Sequence, residues 1–254
     1  MTLMKTLRLI FAIMVLSPGA WMAQDTIPDT EPGYRPAGRF YTGGFISPDL
    51  SYSRIPRDNN AVPAIKNYQP DYDVSKFSVT VGLEGMYQIN QHLALTLGVQ
   101  YSGKGGKTKE IEYGPSPVES DPVSMYYVYD YRYIDVPLRL DVYLSRRKVA
   151  PFITAGLSTN FFINQQTSVF GIDKNDNEME MSFSSTSGFS AVTPQLQLGA
   201  GIDIALNYSR IRIFPIYRLA LTDTKLSQTY AYSTGTVNGK LYSIGLGINC
   251  FFRH

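Results

Sequence analysis

Between Tyr131 and Leu144 the chain separates by parity. Ile134, Val136, Leu138, Leu140, Val142 and Leu144 are aliphatic, whereas Tyr133, Asp135, Pro137, Arg139, Asp141 and Tyr143 include three charges. A period of two puts these sets on opposite faces of a β-strand. Six aliphatic side chains do not belong in water, and aspartate and arginine do not belong in a dry core. A strand of a membrane-spanning barrel accommodates both, with the aliphatic row against lipid and the charged row toward an enclosed polar interior.

The alternation recurs along the chain. Phe77 to Ile89, Leu93 to Tyr101, Val149 to Ile163, Val192 to Leu206, Ile211 to Leu221 and Tyr242 to Phe252 each set apolar residues at every second position against small, polar or charged ones. A weaker strand of mixed parity begins near Phe40. The total is eight strands, an even count that returns both chain ends to the same side. Connections near 90–92, 145–148 and 207–208 are two to four residues long, whereas those near 47–75, 103–125, 164–190 and 222–240 are roughly twenty or more. Short and long alternate without exception. The pattern predicts an all-β fold, an eight-stranded antiparallel transmembrane up-and-down β-barrel with short periplasmic turns and four long extracellular loops. Residues 126–131 and 179–183 keep their alternation and predict strands that continue past the bilayer.

Residues 1–23 carry Lys5 and Arg8, a short apolar run from Leu9 to Leu16, and small residues at Gly19, Ala20 and Ala23. That is a secretory signal peptide, cut after Ala23 or after Ala20. Residues 24–39, with prolines at 28, 32 and 36, read as a flexible periplasmic lead-in, which leaves 40–254 to the outer-membrane barrel. The signal peptide removes two of 23 basic residues and none of the 21 acidic ones, so 21 of each remain. A neutral chain offers no electrostatic case for nucleic acid. Cys250 is the only cysteine, which excludes an intrachain disulfide, and the 19 tyrosines are the main candidates for an interfacial aromatic belt.

Inward parity collects Glu84, Asp135, Asp141 and Asp203 against Arg139, Arg210, Arg212 and Arg218, four acids for four bases. Unpaired buried charges are costly, so a balanced set predicts a structural ionic network filling the lumen. An eight-stranded barrel is narrow enough to be filled by its own side chains, and no conducting channel is expected. With Asn207 and Tyr208 as a hairpin turn, facing residues sum to 415, which sets Asp203 opposite Arg212.

Other candidate chemistry is sparse. His92 is the only histidine apart from the terminal one, and it falls at a periplasmic turn, at the far end of its strand from Ser102. No catalytic residue, cofactor or metal site is therefore assigned. GKGGKT, Gly103 to Thr108, lacks the spacing of a phosphate-binding loop and reads as a flexible basic loop, with contact of Lys104, Lys107 and Lys109 to lipopolysaccharide phosphates as a minor role. Asp173, Asn175 and Asn177 open like a calcium loop, but Glu178 stands where glycine is needed and Ser184 where a bidentate Glu is needed, so a solvated tip is expected. Tyrosines 126, 127, 129, 131 and 133 are the densest aromatic cluster. Alternate members are expected in the girdle, and Tyr126, Tyr127, Tyr129 and Tyr131 form a candidate partner- or glycan-binding surface at the mouth.

YRYIDVPLRLDVYL followed by VAPFITAGLSTNFFI, with TLGVQYSGKG upstream and LQLGAGIDI downstream, resembles the outer-membrane β-barrel domain of Bacteroidota that includes PorT-like proteins. The resemblance covers about residues 40–254. It implies an integral outer-membrane barrel and, through PorT-like members, a role in a secretion apparatus. The tail, with Gly247 followed by Phe252, resembles the signal read by the barrel-assembly machinery, although Cys250 stands where an aromatic is usual. The reading that follows is a non-enzymatic outer-membrane barrel, a scaffold or accessory subunit of an envelope assembly such as a secretion or uptake complex. Its expected partners are outer-membrane lipid and lipopolysaccharide, the assembly machinery and an outer-membrane protein. The alternatives are a lipid-modifying or proteolytic barrel enzyme, which needs a nucleophile and base at the outer leaflet, and a small-molecule or glycan-binding barrel. A soluble lipocalin-like cup would invert the two faces. The loop alternation and the charge-matched polar face argue against it.

Overall fold

The computed structural model describes residues 37–54, 73–112, 123–173, 175, 177–186, 190–230 and 233–253. The chain divides into Met1–Pro32, which lies outside the described residues with the expected signal peptide and most of the lead-in, and Gly33–His254, which holds the barrel.

An extended strand leaves its backbone donors and acceptors on both edges, and in an apolar surround only a closed ring satisfies them all. The ring has eight staves: β1 Arg39–Arg54, β2 Lys76–Gln88, β3 Leu93–Thr108, β4 Ser124–Tyr143, β5 Val149–Ile172, β6 Val192–Ala205, β7 Ser209–Ala220 and β8 Ser233–Arg253. Each pairs antiparallel with the next, and β8 returns to β1, where Phe45 lies opposite Asn249. Four shorter strands extend it: Asp73–Val74 on β3, Ile111–Glu112 on β4, Glu178–Ser185 on β5 and Thr224–Tyr230 on β8.

The parity of the sequence is the parity of the wall. Leu83, Leu138, Ile153 and Ile244 point outward and are 66%, 48%, 49% and 53% exposed, while their neighbours Glu84, Arg139, Thr154 and Ser243 are buried inside. An outward aliphatic row around the whole ring is a surface for lipid.

Several expected loops are strand. A tilted transmembrane strand needs about 9–11 residues, whereas β4 has 20 and β5 has 24. Their upper parts keep the alternation with Tyr, Gln, Thr and Ser in place of aliphatics, so they stay hydrogen-bonded where the surroundings become water. β1 departs most from expectation. From Phe45 onward Ser47, Asp49, Ser51 and Ser53 face inward, and Ile46, Pro48, Leu50 and Tyr52 face outward or toward the wall. An inward phenylalanine, paired glycines and Pro48 conceal that period. Pro48 has no N–H to give. It still faces Val79 on β2, while the ladder to β8 passes from Ile46 to Asp49. On β5 the extra residue is Ile163, between Phe162 facing Tyr133 and Asn164 facing Arg132. The bulge shifts the inward set from even positions, Ala150 to Asn160, to odd ones, Gln165 to Gly171.

The short turns cover 89–92, 144–148 and 206–208. In the first, Asn90 Oδ1 accepts from the backbone N–H groups of His92 and Leu93 at 2.8 and 2.9 Å, an Asx turn that fixes the hairpin.

Candidate functional site

All eight charges expected in the lumen are there, and buried. Two more join them. Asp49 accepts from Arg218 Nη1, Ser47 Oγ and Thr80 Oγ1, each at 2.6 Å, and Lys104 reaches Asp135 at 3.0 Å. Four against four becomes five against five, arranged as five pairs: Arg139–Glu84 at 2.7 Å, Arg212–Asp141 at 2.9 Å, Arg210–Asp203 at 3.0 Å, Arg218–Asp49 and Lys104–Asp135. Asp203 does stand opposite Arg212 in the ladder, yet Arg212 approaches it only through Nε at 3.8 Å. Arg212 instead donates from Nη1 to Asp141 at 3.0 Å, and Arg210 takes Asp203. Long side chains in a narrow lumen meet across it as well as along the wall. Glu84 is the most connected carboxylate, accepting from Arg139 at 2.7 Å, Gln100 Nε2 at 2.6 Å and Asn249 Nδ2 at 2.7 Å, which ties β2, β3, β4 and β8 together.

Aromatic rings fill the space between the guanidinium groups. Arg212 lies 4.1 Å from the Phe152 ring centre, Arg139 lies 5.5 and 5.6 Å from Phe45 and Phe214, and Arg210 lies 5.2 and 5.1 Å from Tyr41 and Tyr143. These contacts place each cation against a π-face in a desolvated setting, where the attraction is strongest. Gly245 makes the Asp49 site possible, since a Cβ there would stand 1.7 Å from Asp49 Oδ1.

Toward the mouth, the tyrosine cluster is not the expected surface. Tyr127, Tyr129, Tyr131 and Tyr133 face inward and are buried with Met125, Val169, Ala220 and Leu241. They share the parity of Asp135 and Arg139, and β4 carries its alternation unbroken past the bilayer. Only Tyr126 lies on the outer face, stacked on Phe170 at 5.0 Å with Lys107 Nζ 5.6 Å from its ring centre. The basic loop is likewise corrected: Gly103 to Thr108 is the end of β3, and Lys104 is an interior residue over the Tyr133 ring. Lys107 and Lys109 remain exposed. Gly105 has φ +128°, and a Cβ there would stand 2.1 Å from the Tyr129 carbonyl oxygen, so the glycine serves close strand approach. Lys76, Asp130 and Arg132 form a half-buried ionic cluster nearby.

At the tip beyond β5, Asp173 accepts from the Asn175 N–H at 2.7 Å, the Asn177 N–H at 2.9 Å and Asn177 Nδ2 at 2.8 Å. The Asn177 side chain is the main cause that holds this carboxyl below its ordinary value. Its oxygens close a turn, and among the described residues no group of three or more His, Cys, Asp or Glu is placed to hold a metal.

At the other end, His92 Nδ1 lies 2.9 Å from the Tyr143 carbonyl oxygen and Nε2 accepts from Arg146 Nε at 3.0 Å. A carbonyl only accepts, so the proton is assigned to Nδ1. The ring is a strut between two turns. Ser102 is remote from it and donates to Asp135 at 2.8 Å. A shallow cavity of 440 Å³ is lined here by Ala37, Asn90, Gln91, His92, Leu93 and Arg146.

Among solved structures, the chain is similar to the outer membrane protein OprG from Pseudomonas aeruginosa, at 15% identity over 88% of this chain and 99% of that one, with a TM-score of 0.49. It is similar to Ail, the attachment invasion locus protein of Yersinia pestis, at 12% identity over 85% and 99%, with a TM-score of 0.36. It is also similar to the outer membrane protease OmpT from Escherichia coli, at 6% identity over 85% and 97%, with a TM-score of 0.41. No curated protein matches. The sequence model of the outer membrane protein beta-barrel domain matches residues 29–225, more than half of the 254-residue chain. With the closed ring and its outward apolar surface, that match means the chain belongs to the outer membrane protein β-barrel domain family and is an integral outer-membrane protein.

Proposed function

We propose that this barrel is a non-enzymatic scaffold or accessory subunit of an envelope assembly, such as a secretion or uptake complex, in the PorT-like branch of Bacteroidota barrels. Residues 1–23 are its cleaved export signal in this reading, and the barrel-assembly machinery inserts it. The observation that supports the reading most is the use of the lumen. Five ion pairs and two aromatic clusters occupy it, so the charged groups that could line a channel are engaged with one another. The working surface is then the part of the barrel beyond the outer leaflet. There the upper β4 and β5, the strand Glu178–Ser185 and the hairpin of Thr224–Tyr230 with β8 stand clear of lipid. Tyr126, Phe170 and Lys107 supply an aromatic and basic patch on that surface for an outer-membrane protein partner or lipopolysaccharide phosphates.

The test is recovery of a tagged copy from native outer membranes in mild detergent, with stoichiometric partners identified by mass spectrometry. A constant partner supports the accessory role. Recovery of the barrel alone overturns it and favours an autonomous enzyme or a glycan binder. Conductance in the nanosiemens range across planar bilayers would overturn the filled lumen.

A further inference from the structure

The charges that nearly balance in composition do not balance along the barrel axis. The lumen holds five of each sign. The end with the long extensions mixes Lys76, Lys107, Lys109, Arg132 and Lys240 with Glu110, Asp130, Asp173, Glu178, Glu180 and Asp223. At the short-turn end, outside the lumen, the described residues contribute Arg39, Arg146, Arg147, Lys148 and Arg253 and no carboxylate. In an outer-membrane barrel with an even strand count, that end faces the periplasm.

Three of these cations sit in one turn, Ser145 to Lys148, between β4 and β5. Arg146 is held from behind. His92, itself fixed to the Tyr143 carbonyl, accepts its Nε–H, and among the described residues His92 is its only hydrogen-bond partner. Its two Nη groups, which form the fork that suits phosphate oxygens, make no hydrogen bond among the described residues, and Arg146 lines the shallow cavity. Ala37 lines that cavity as well, in the turn that leads into β1. The turn is also flanked by apolar side chains. Leu144 before it and Val149 after it belong to the outward row and are 61% and 51% exposed. Cations at the tip and aliphatics immediately above them are the two halves of a site for an amphiphile, not for a soluble anion.

We propose that this turn, with its His92-held Arg146, binds the phosphate headgroup of an anionic phospholipid of the periplasmic leaflet. Leu144 and Val149 pack against its acyl chains. The site rests on the outer-membrane location and is independent of the accessory-subunit reading.

The test is native mass spectrometry of the full barrel released from detergent with phosphatidylglycerol or phosphatidylcholine. The native chain is expected to retain phosphatidylglycerol in preference, and to lose that preference as salt rises. The variant R146Q/R147Q/K148Q is expected to bind phosphatidylglycerol roughly a hundredfold more weakly, from the usual contribution of each cation near a charged lipid surface. Heat-modifiable gel mobility reports whether the variant is folded, and the two-lipid comparison on the native chain needs no variant. Equal retention of the two lipids, or undiminished phosphatidylglycerol binding by the folded variant, overturns the proposal. Displacement of the lipid by millimolar glycerol phosphate overturns it too, because the site would then belong to soluble phosphates.

Discussion

Replacing Glu84 by glutamine removes one charge and almost no volume from the middle of the lumen. Its two oxygens accept from Arg139, Gln100 and Asn249, and all three are buried donors. The amide of a glutamine keeps one acceptor and turns its NH2 toward a donor, which costs about 1–3 kcal/mol for the polar group left unsatisfied. Arg139 also loses its counter-ion, and breaking a buried pair from one side costs about 3–5 kcal/mol in total. The Phe45 and Phe214 rings, 5.5 and 5.6 Å from Arg139, still face the stranded cation and keep the loss at the lower end of that range. The expected net loss is about 3 kcal/mol. The double substitution E84Q/R139M removes the stranded cation and should lie within about 1 kcal/mol of the native chain, because apolar replacement of a buried pair is often neutral. Urea titration in lipid vesicles, read by the gel mobility of unboiled samples, measures all three stabilities. A cost below about 1 kcal/mol for E84Q, or a double variant less stable than E84Q alone, would refute the view that paired charges hold the lumen together.

Further predictions concern other parts of the wall. G245A should displace Asp49 from Arg218, since the new methyl would stand 1.7 Å from the carboxylate; a loss of about 3 kcal/mol is expected, and an unfolding midpoint equal to the native one would sink the idea. Cys250 lies on the outward row, so in vesicles a lipid-soluble maleimide should label it and a charged one should not. Labelling by the charged reagent would place that row in water. Asp173 has a carboxyl held below its ordinary value in the folded tip, chiefly by Asn177. Its stabilisation is therefore present above the unfolded value and lost as pH falls through the lowered one, below about pH 4. Amide exchange at Asn175 and Asn177 should accelerate only in that acid range, and loss of protection near neutral pH would contradict the turn.

The period of two, the even strand count, the alternation of short and long connections and the membrane itself were legible in the sequence, because each is carried by a single strand or turn. The 415 register between β6 and β7 was legible for the same reason, since a tight turn fixes facing residues by counting. The inward position of eight charges followed from parity alone. What parity does not contain is which charge meets which. Arg212 passes over the aspartate beside it and pairs with Asp141, 71 residues away, a contact that exists only once eight strands have closed around a narrow space. Asp49 and Lys104 were hidden behind Pro48 and a glycine run that locally resemble turns, and neighbouring strands held both segments extended. The inward tyrosines of β4 are not legible in composition, because above the bilayer the outer face is no longer aliphatic and stops distinguishing inside from outside although the pleat continues. The basic periplasmic rim was invisible behind near-equal totals of acid and base, 21 and 23. Side-chain alternation is a property of the backbone that each strand carries by itself, whereas the separation and pairing of charges depend on where closure of the ring brings distant strands.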